Sequence, residues 1–130
     1  MVTVGFRTTE ICTYSNNIKF NDKLSKTIEC GNKTALEYVQ RKLKEDNIIR
    51  TLSEIDSSFR YNNLKSVAYN NLVEKITQDI ESLLINLSEY DIFIGGGTAL
   101  NMNFKEYKVI PDSQMATAKG LFMIGSKVLK

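Results

Sequence analysis

The stretch from Leu64 to Gly97 constrains what this chain can fold into more than any other. Leu64, Ala68, Leu72, Ile76, Ile80, Leu83, Leu84 and Leu87 recur every three to four residues, the spacing that places apolar side chains on one face of an α-helix. Lys65, Glu74, Lys75, Gln78 and Glu81 fall mostly off that stripe. The spacing predicts an amphipathic helix of about six turns. Tyr90-Asp91-Ile92-Phe93-Ile94 follows, short and nearly continuous in apolar character, as expected of a strand buried on both faces. Gly95-Gly96-Gly97 leaves that strand at once, and Thr98-Ala99-Leu100 can open another helix.

The chain before this stretch reads differently. Val2-Thr3-Val4-Gly5 and Glu10-Ile11-Cys12-Thr13-Tyr14 are β-rich runs on either side of Phe6-Arg7-Thr8-Thr9, a pattern of strand, tight turn and strand. Ser15-Asn16-Asn17 is a second turn signal, because Asn tolerates left-handed backbone angles. Ile18-Lys19-Phe20 and then Leu24 to Cys30 continue as strand, with Leu24, Lys26, Ile28 and Cys30 alternating against Ser25, Thr27 and Glu29. Three strands joined by short turns predict an antiparallel meander. Gly31-Asn32 ends it, and Ala35, Leu36, Val39 and Leu43 then share one face of a helix.

Residues 46–63 give mixed signals. Ile48 and Ile49 fit a strand, Leu52 and Ile55 a short helix, and Phe59 to Tyr61 another strand. Near the end, Tyr107 to Ile110 reads as a strand stopped by Pro111 and Asp112. Residues 113–128 read as a last helix carrying Ala116, Ala118, Gly120 and Gly125. A glycine inside a helix costs about 1 kcal/mol against alanine, so Gly120 points to close backbone packing or a nearby ligand. The order β-β-β-α, insert, α-β-α-β-α predicts one α/β domain over residues 1–130. Its core is a mixed five-stranded sheet with an antiparallel three-strand meander and flanking helices, interrupted by a small insert at 46–63.

Composition narrows the chemistry. With no histidine among 130 residues, a His general base, a Ser-His-Asp or Cys-His pair and an HExxH zinc site are all excluded. Cys12 and Cys30 are too few for a four-thiolate site and lie too far apart for a CxxC pair, so they read as isolated buried thiols. A formal charge of +2 argues against direct nucleic-acid binding. The basic last quarter (Lys105, Lys108, Lys119, Lys127 and Lys130) reads as a solvated face. No apolar run approaches the roughly 18–20 residues of a membrane span, and no basic-then-apolar leader stands at Met1. The expected location is the cytoplasm.

Two glycine-centred turns carry the chemical interest. Gly5-Phe6-Arg7-Thr8-Thr9 offers backbone N–H groups, hydroxyls and one cation, which suit phosphate oxygens; alone it also fits a plain hairpin. Gly95-Gly96-Gly97 sits where a buried strand enters a helix, the place at which open α/β sheets bind ligands. Three glycines let a ligand approach the backbone; alone they also fit a tight strand-to-helix turn. The turn has neither the Lys-Ser/Thr of a Walker A loop nor the GxGxxG spacing of a dinucleotide fingerprint.

Taken together, the two turns on one mixed sheet resemble the second lobe of the actin-like ATPases, the superfamily with a ribonuclease H-like fold that also holds sugar kinases and heat-shock chaperone ATPases. The likeness is closest to the bacterial plasmid-segregation actins of the ParM/StbA type. Their second lobe opens on an Asp-x-Gly phosphate motif followed by Thr-Thr-(Asp/Glu), and here the stretch is Val2-Thr3-Val4-Gly5-Phe6-Arg7-Thr8-Thr9-Glu10. The phrase Phe-Asn-Asp-x-Leu-Ser is similar to Phe20-Asn21-Asp22-Lys23-Leu24-Ser25. The adenosine-binding turn is similar to Ile94-Gly95-Gly96-Gly97-Thr98-Ala99, and the last helix to Ala118-Lys119-Gly120-Leu121-Phe122-Met123-Ile124-Gly125. The resemblance covers nearly the whole chain, weakly over 46–63.

That resemblance implies a role for each residue. Gly5, Arg7, Thr8 and Thr9 would serve the γ-phosphate, and Gly95, Gly96, Gly97 and Thr98 the adenosine. Thr3 stands at the family's aspartate position, where a neutral hydroxyl is a poorer base and holds a cation's water shell less well. The resemblance further implies ATP or GTP with Mg²⁺ in a two-lobed parent, and hydrolysis that changes the angle between lobes. It implies self-association into filaments and a DNA-bound adaptor protein as partner. The family's first lobe, with the other phosphate hairpin, has no counterpart in these residues, so the chain is expected to open at a domain boundary and not to turn over nucleotide by itself. A stand-alone, non-catalytic interaction module built on the same lobe is the alternative. A sugar-kinase-like relative is a weaker third reading, because no sugar-binding carboxylate stands out.

Overall fold

A computed structural model of the chain describes residues 1–15, 19–97, 102–104 and 107–109, with Lys108 and Val109 described by their backbone. The expected last helix at 113–128, the Ala118–Gly125 motif and Thr98 lie outside the described residues. Eight elements position the rest: β1 (Val2–Val4), β2 (Thr9–Ile11), β3 (Lys26–Ile28), α1 (Asn32–Glu45), α2 (Leu52–Ser57), α3 (Asn62–Leu83), β4 (Phe93–Gly95) and β5 (Lys108–Val109). Single 3₁₀ turns cover Asp22–Leu24 and Leu87–Glu89.

The strands form the expected mixed five-stranded sheet, in the order β3-β2-β1-β4-β5. β1 pairs antiparallel with β2, and β2 antiparallel with β3. β4 joins the other side of β1 in parallel, with β5 parallel beyond it. Register sorts the side chains. Val2 faces Ile11 and Ile94, and Val4 faces Thr9, which faces Ile28; all six are buried. The other face carries Thr3 opposite Glu10 and Glu10 opposite Thr27, half-buried or exposed.

The long helix forms as its stripe predicts. Ala68, Leu72, Ile76 and Ile80 are buried along α3, with Ile76 and Ile80 fully so. Its lower half closes on the sheet, since Ile80 and Leu84 border the same cavity as Val2 and Ile11. Its upper half meets α1 and α2, where Lys65 Nζ donates to the carbonyls of Asp56 and Ser58, and the Tyr69 hydroxyl donates to Asn32 Oδ1. Asp79, buried on α3, pairs with Lys26 of β3 at 3.4 Å and Lys75 at 3.1 Å. That pair fixes the helix against the sheet edge, because an unpaired carboxylate there would be costly.

Several expectations need correction. The second and third strands are each three residues long and not continuous from Glu10 to Tyr14 or Leu24 to Cys30. Beyond Ile11 the partner strand bends into the 3₁₀ turn capped by Asn21, whose Oδ1 accepts from Lys23 and Leu24 N–H, leaving one isolated bridge between Tyr14 and Phe20. The long helix stops at Leu83, since Leu84 turns extended (φ −111°, ψ 96°), so Leu87 belongs to the following 3₁₀ turn. In the insert, neither 48–49 nor 59–61 is a strand. Asn47, at φ 61°, closes α1: its N–H donates to Lys44 O, and the Ile48 N–H donates to Leu43 O, the paired bonds of a Schellman cap. Thr51 and Glu54 then form a reciprocal capping box, with both bonds at 3.2 Å, that starts α2. The Thr51 backbone N–H, and after it the Thr51 hydroxyl, hold the Glu54 carboxyl below its ordinary range. Ile55 is the one buried residue of α2, with no exposure.

Candidate functional site

Parallel pairing of β1 with β4 decides where the two glycine turns lie. Thr3 sits opposite Gly95, so both strands end at the same edge of the sheet. The turn after β1 and the turn after β4 therefore leave side by side. The three glycines of the second turn have distinct surroundings. Gly95 is buried in β4 beside Thr3. Gly96 is buried with φ +97°, and a Cβ there would meet Val4 O at 2.3 Å and Val4 N at 2.9 Å. Its glycine is demanded by the backbone of β1. Gly97 is exposed, and a Cβ there would meet nothing within 4 Å. Among the described residues, no contact explains the absence of a side chain at Gly97.

The first turn is built on the start of α1. Gly5 N–H donates to Thr8 O at 2.9 Å, which closes the hairpin. Asn32 N–H donates to Gly5 O at 3.0 Å and Lys33 N–H to Phe6 O at 2.7 Å. These are two of the four N–H groups that a helix start leaves without an intrahelical partner. Gly31 permits the approach, since a Cβ on it would lie 2.4 Å from Gly5 O and 2.7 Å from Phe6 O. Thr34 Oγ1 accepts from Gly31 N–H at 3.0 Å. The hairpin carbonyls are thus drawn toward the helix. The N–H groups of Phe6 and Arg7 at the exposed tip have no partner among the described residues.

The site residues expected from the sequence divide accordingly. Gly5, Arg7, Thr8, Gly95, Gly96 and Gly97 meet at one end of the sheet, with Arg7 exposed and Thr8 half-buried. Thr9 is placed differently: its side chain is fully buried, and its Oγ1 donates to Cys30 O at 2.8 Å. Thr3 is half-buried on the other sheet face, with Glu10 directly across from it on β2. Glu10 is the nearest carboxylate along the strands to that hydroxyl, and its exposure leaves it open to solvent. Burial pushes the Cys30 thiol up from its ordinary range, and likewise the Tyr69 hydroxyl; both are protonated near neutral pH.

Residues that sequence reasoning passed over also shape this end. Gly31, Asn32 and Lys33 anchor the hairpin, and their only signal in the sequence was the Gly-Asn turn that ends the meander. Tyr69 ties α3 to that anchor through Asn32. A groove of about 540 Å³ opens beside it, lined by Asp56, Ser57, Ser58, Phe59, Asn62, Lys65 and Tyr69. Among the described residues, no group of three or more Cys, Asp or Glu side chains is arranged to hold a metal ion. These residues do not form a protein cage for Mg²⁺. No described helix is long and apolar enough to cross a membrane.

Neither a protein-family model nor a curated relative matches the sequence. Solved structures do. The native structure of Ta0583, an archaeal actin homologue, superposes with a TM-score of 0.76 at 19% identity, covering 97% of this chain and 47% of that one. The apo structure of pSK41 ParM gives 0.71 at 20% identity, over 99% of this chain and 42% of that one. Ta0583 in complex with ADP gives 0.69 at 20% identity, over 97% and 49%. The chain spans about half the length of the solved structures it matches. The likeness establishes the expected fold, that of an actin-like, ribonuclease H-like lobe.

Proposed function

We propose that residues 1–130 are the second, nucleotide-binding lobe of an actin-like ATPase of the plasmid-segregation type. The observation that carries this reading is the pairing at one sheet end of a hairpin whose exposed tip carries Arg7 and N–H groups without a partner among the described residues with an exposed Gly97 that no described residue covers. Outward N–H groups and a guanidinium suit phosphate. A side-chain-free turn beside them suits a close-lying nucleoside. Gly5, Arg7 and Thr8 would take the phosphate end, and Gly95 to Gly97 the nucleoside. Any Mg²⁺ would arrive coordinated chiefly by phosphate and water, as Mg²⁺ usually does. The ADP complex of the archaeal actin homologue supports the nucleotide class. Self-association into filaments, a DNA-bound adaptor and a cytoplasmic location belong to the same reading.

The test is titration of the chain with Mg-ATP and Mg-ADP by calorimetry, beside Gly97→Ala and Arg7→Ala. Weak binding, in the high-micromolar to millimolar range, with loss in both variants and no turnover, is the expected outcome. A folded chain that takes up no heat at 5 mM nucleotide overturns the proposal. One observation favours the alternative of a non-catalytic interaction module: β1 presents Thr3, not a carboxylate, beside Gly95. Under that reading Thr3→Asp changes neither nucleotide affinity nor turnover in any partnered form.

A further inference from the structure

The sheet end at which the two glycine turns meet carries positive charge. Arg7 stands exposed at the hairpin tip and enters no ion pair among the described residues. Lys33, whose backbone N–H donates to Phe6 O, is half-buried and likewise has no ion pair among the described residues. Both belong to the body that the hairpin makes with the start of α1. A helix N-terminus carries the positive end of the backbone dipole, and the first turn of α1 holds no acidic residue to offset it. The Gly5 and Phe6 carbonyls bond to that helix end.

The donors that this end presents to a divalent cation are of the wrong kind. Gly5-Phe6-Arg7-Thr8-Thr9 and Gly95-Gly96-Gly97 contain no carboxylate. Glu10 lies between buried Thr9 and Ile11, and Glu29 between buried Ile28 and Cys30, so both are exposed away from the core. Asp56 belongs to the groove lined by Tyr69. Thr3, half-buried beside Gly95, offers a neutral hydroxyl. Mg²⁺ is usually held by one or two carboxylates together with phosphate oxygens. The two turns supply none, and no three Cys, Asp or Glu side chains gather as a metal site among the described residues. These residues therefore do not fit a divalent cation held by the protein. They supply a guanidinium instead, whose planar fork of donors can bond two phosphate oxygens at once.

We infer that this end of the chain binds the phosphates of a nucleotide free of divalent metal, with the Arg7 guanidinium as their counter-charge in place of the cation. The inference rests on the nucleotide-binding reading above and specifies the ionic form of the ligand. An Mg²⁺ ion would cancel two of the negative charges that Arg7, Lys33 and the α1 N-terminus attract. It would also occupy phosphate oxygens that the guanidinium can bond. The metal-bound form therefore gains nothing from its ion here, whereas the metal-free form meets the whole positive potential. Because Arg7 is exposed, salt screens the attraction.

The experiment is calorimetric titration of the 130-residue chain with ADP at one ionic strength, in EDTA and in excess Mg²⁺. The expected result is a Kd in EDTA no higher than that in Mg²⁺. Arg7→Ala should weaken ADP about tenfold in EDTA. Arg7→Glu places a carboxylate at the tip and should reverse the preference, so that this variant binds ADP in Mg²⁺ and not in EDTA. Urea melts of both variants should match wild type, because Arg7 is exposed, and they separate lost binding from lost folding. A wild-type Kd more than about threefold higher in EDTA than in Mg²⁺ overturns the inference while leaving nucleotide binding standing. An Arg7→Ala chain that binds ADP in EDTA as tightly as wild type does the same. A wild-type chain that binds ADP in neither condition overturns both.

Discussion

Gly96 and Gly97 are adjacent and chemically identical, yet replacing each by alanine should have opposite consequences. At Gly96 the added methyl would lie 2.3 Å from Val4 O and 2.9 Å from Val4 N and C, all backbone atoms. Those atoms belong to β1, the central strand of the sheet, and cannot rotate away as a side-chain tip could. Relief therefore requires β4 to move off β1. Overpacking of this kind costs about 1–3 kcal/mol, and an L-residue held at φ +97° adds about 1–2 kcal/mol. The sum, about 2–5 kcal/mol, is a large fraction of the 5–15 kcal/mol that keeps an ordinary domain folded. With a urea m-value of about 2 kcal/mol/M, the unfolding midpoint of Gly96→Ala should fall by about 1–2.5 M. Gly97→Ala adds its methyl to open space and should stay within about 0.5 kcal/mol of wild type, while losing nucleotide binding. Urea melts of the three chains, followed by circular dichroism, measure the first contrast, and calorimetry the second. A Gly96→Ala midpoint equal to wild type refutes the claim that the β1 backbone dictates this glycine. A Gly97→Ala chain that unfolds as early as Gly96→Ala refutes the claim that its glycine serves a ligand.

The remaining predictions concern the insert and the buried thiol. Ile55→Ala should cost about 2–5 kcal/mol, since α2 buries no other side chain, and amide exchange should show residues 51–57 losing protection first. Asn47→Gly should raise the melting temperature slightly, by up to about 1 kcal/mol of stability, because the residue holds φ 61°; an unchanged or lower value contradicts the cap. Burial raises the Cys30 pKa in the folded state, so the folded chain keeps this proton more tightly than the unfolded one. Its contribution is whole below about pH 8.5 and fades as the pH rises through the folded value. Urea midpoints above that pH should therefore fall more steeply for wild type than for Cys30→Ala.

Periodicity carried the parts of the fold that it governs. Eight apolar positions from Leu64 to Leu87 specify α3 because burial on one face repeats every turn, and the structure moves only its end. The short strands were harder to delimit. Leu24 to Cys30 alternates as a strand should, but the 3₁₀ turn capped by Asn21 takes Leu24 at its start, and a local hydrogen bond outweighs a partly apolar alternation. In the insert, Ile48, Ile49 and Phe59 suggested strands by being apolar, yet Ile49 and Phe59 are 79% and 87% exposed. The true signals were polar: Asp46-Asn47 as a helix stop and Thr51-x-x-Glu54 as a helix start. Both glycine turns stood out in the sequence, and the resemblance set them on one sheet, but no local residue pattern brings them side by side. Their meeting depends on β4 pairing in parallel with β1, a contact more than 90 residues apart along the chain. Only that register separates the glycine the sheet requires from the one it does not.

The hairpin and α1 behave as one body. Two bonds from Asn32 and Lys33 to the Gly5 and Phe6 carbonyls, with Gly31 pressed beneath them, leave no slack for the turn to shift without carrying the helix along. α1 has 14 residues, so it is a rod of about 21 Å. Tilting it by about 5° at the hairpin displaces its far end by about 2 Å, at the segment where Arg41, Lys44 and Arg50 face outward. A displacement of the hairpin would in this way reach the far end of α1 through a single stiff lever, with its fulcrum where Gly31 touches the turn.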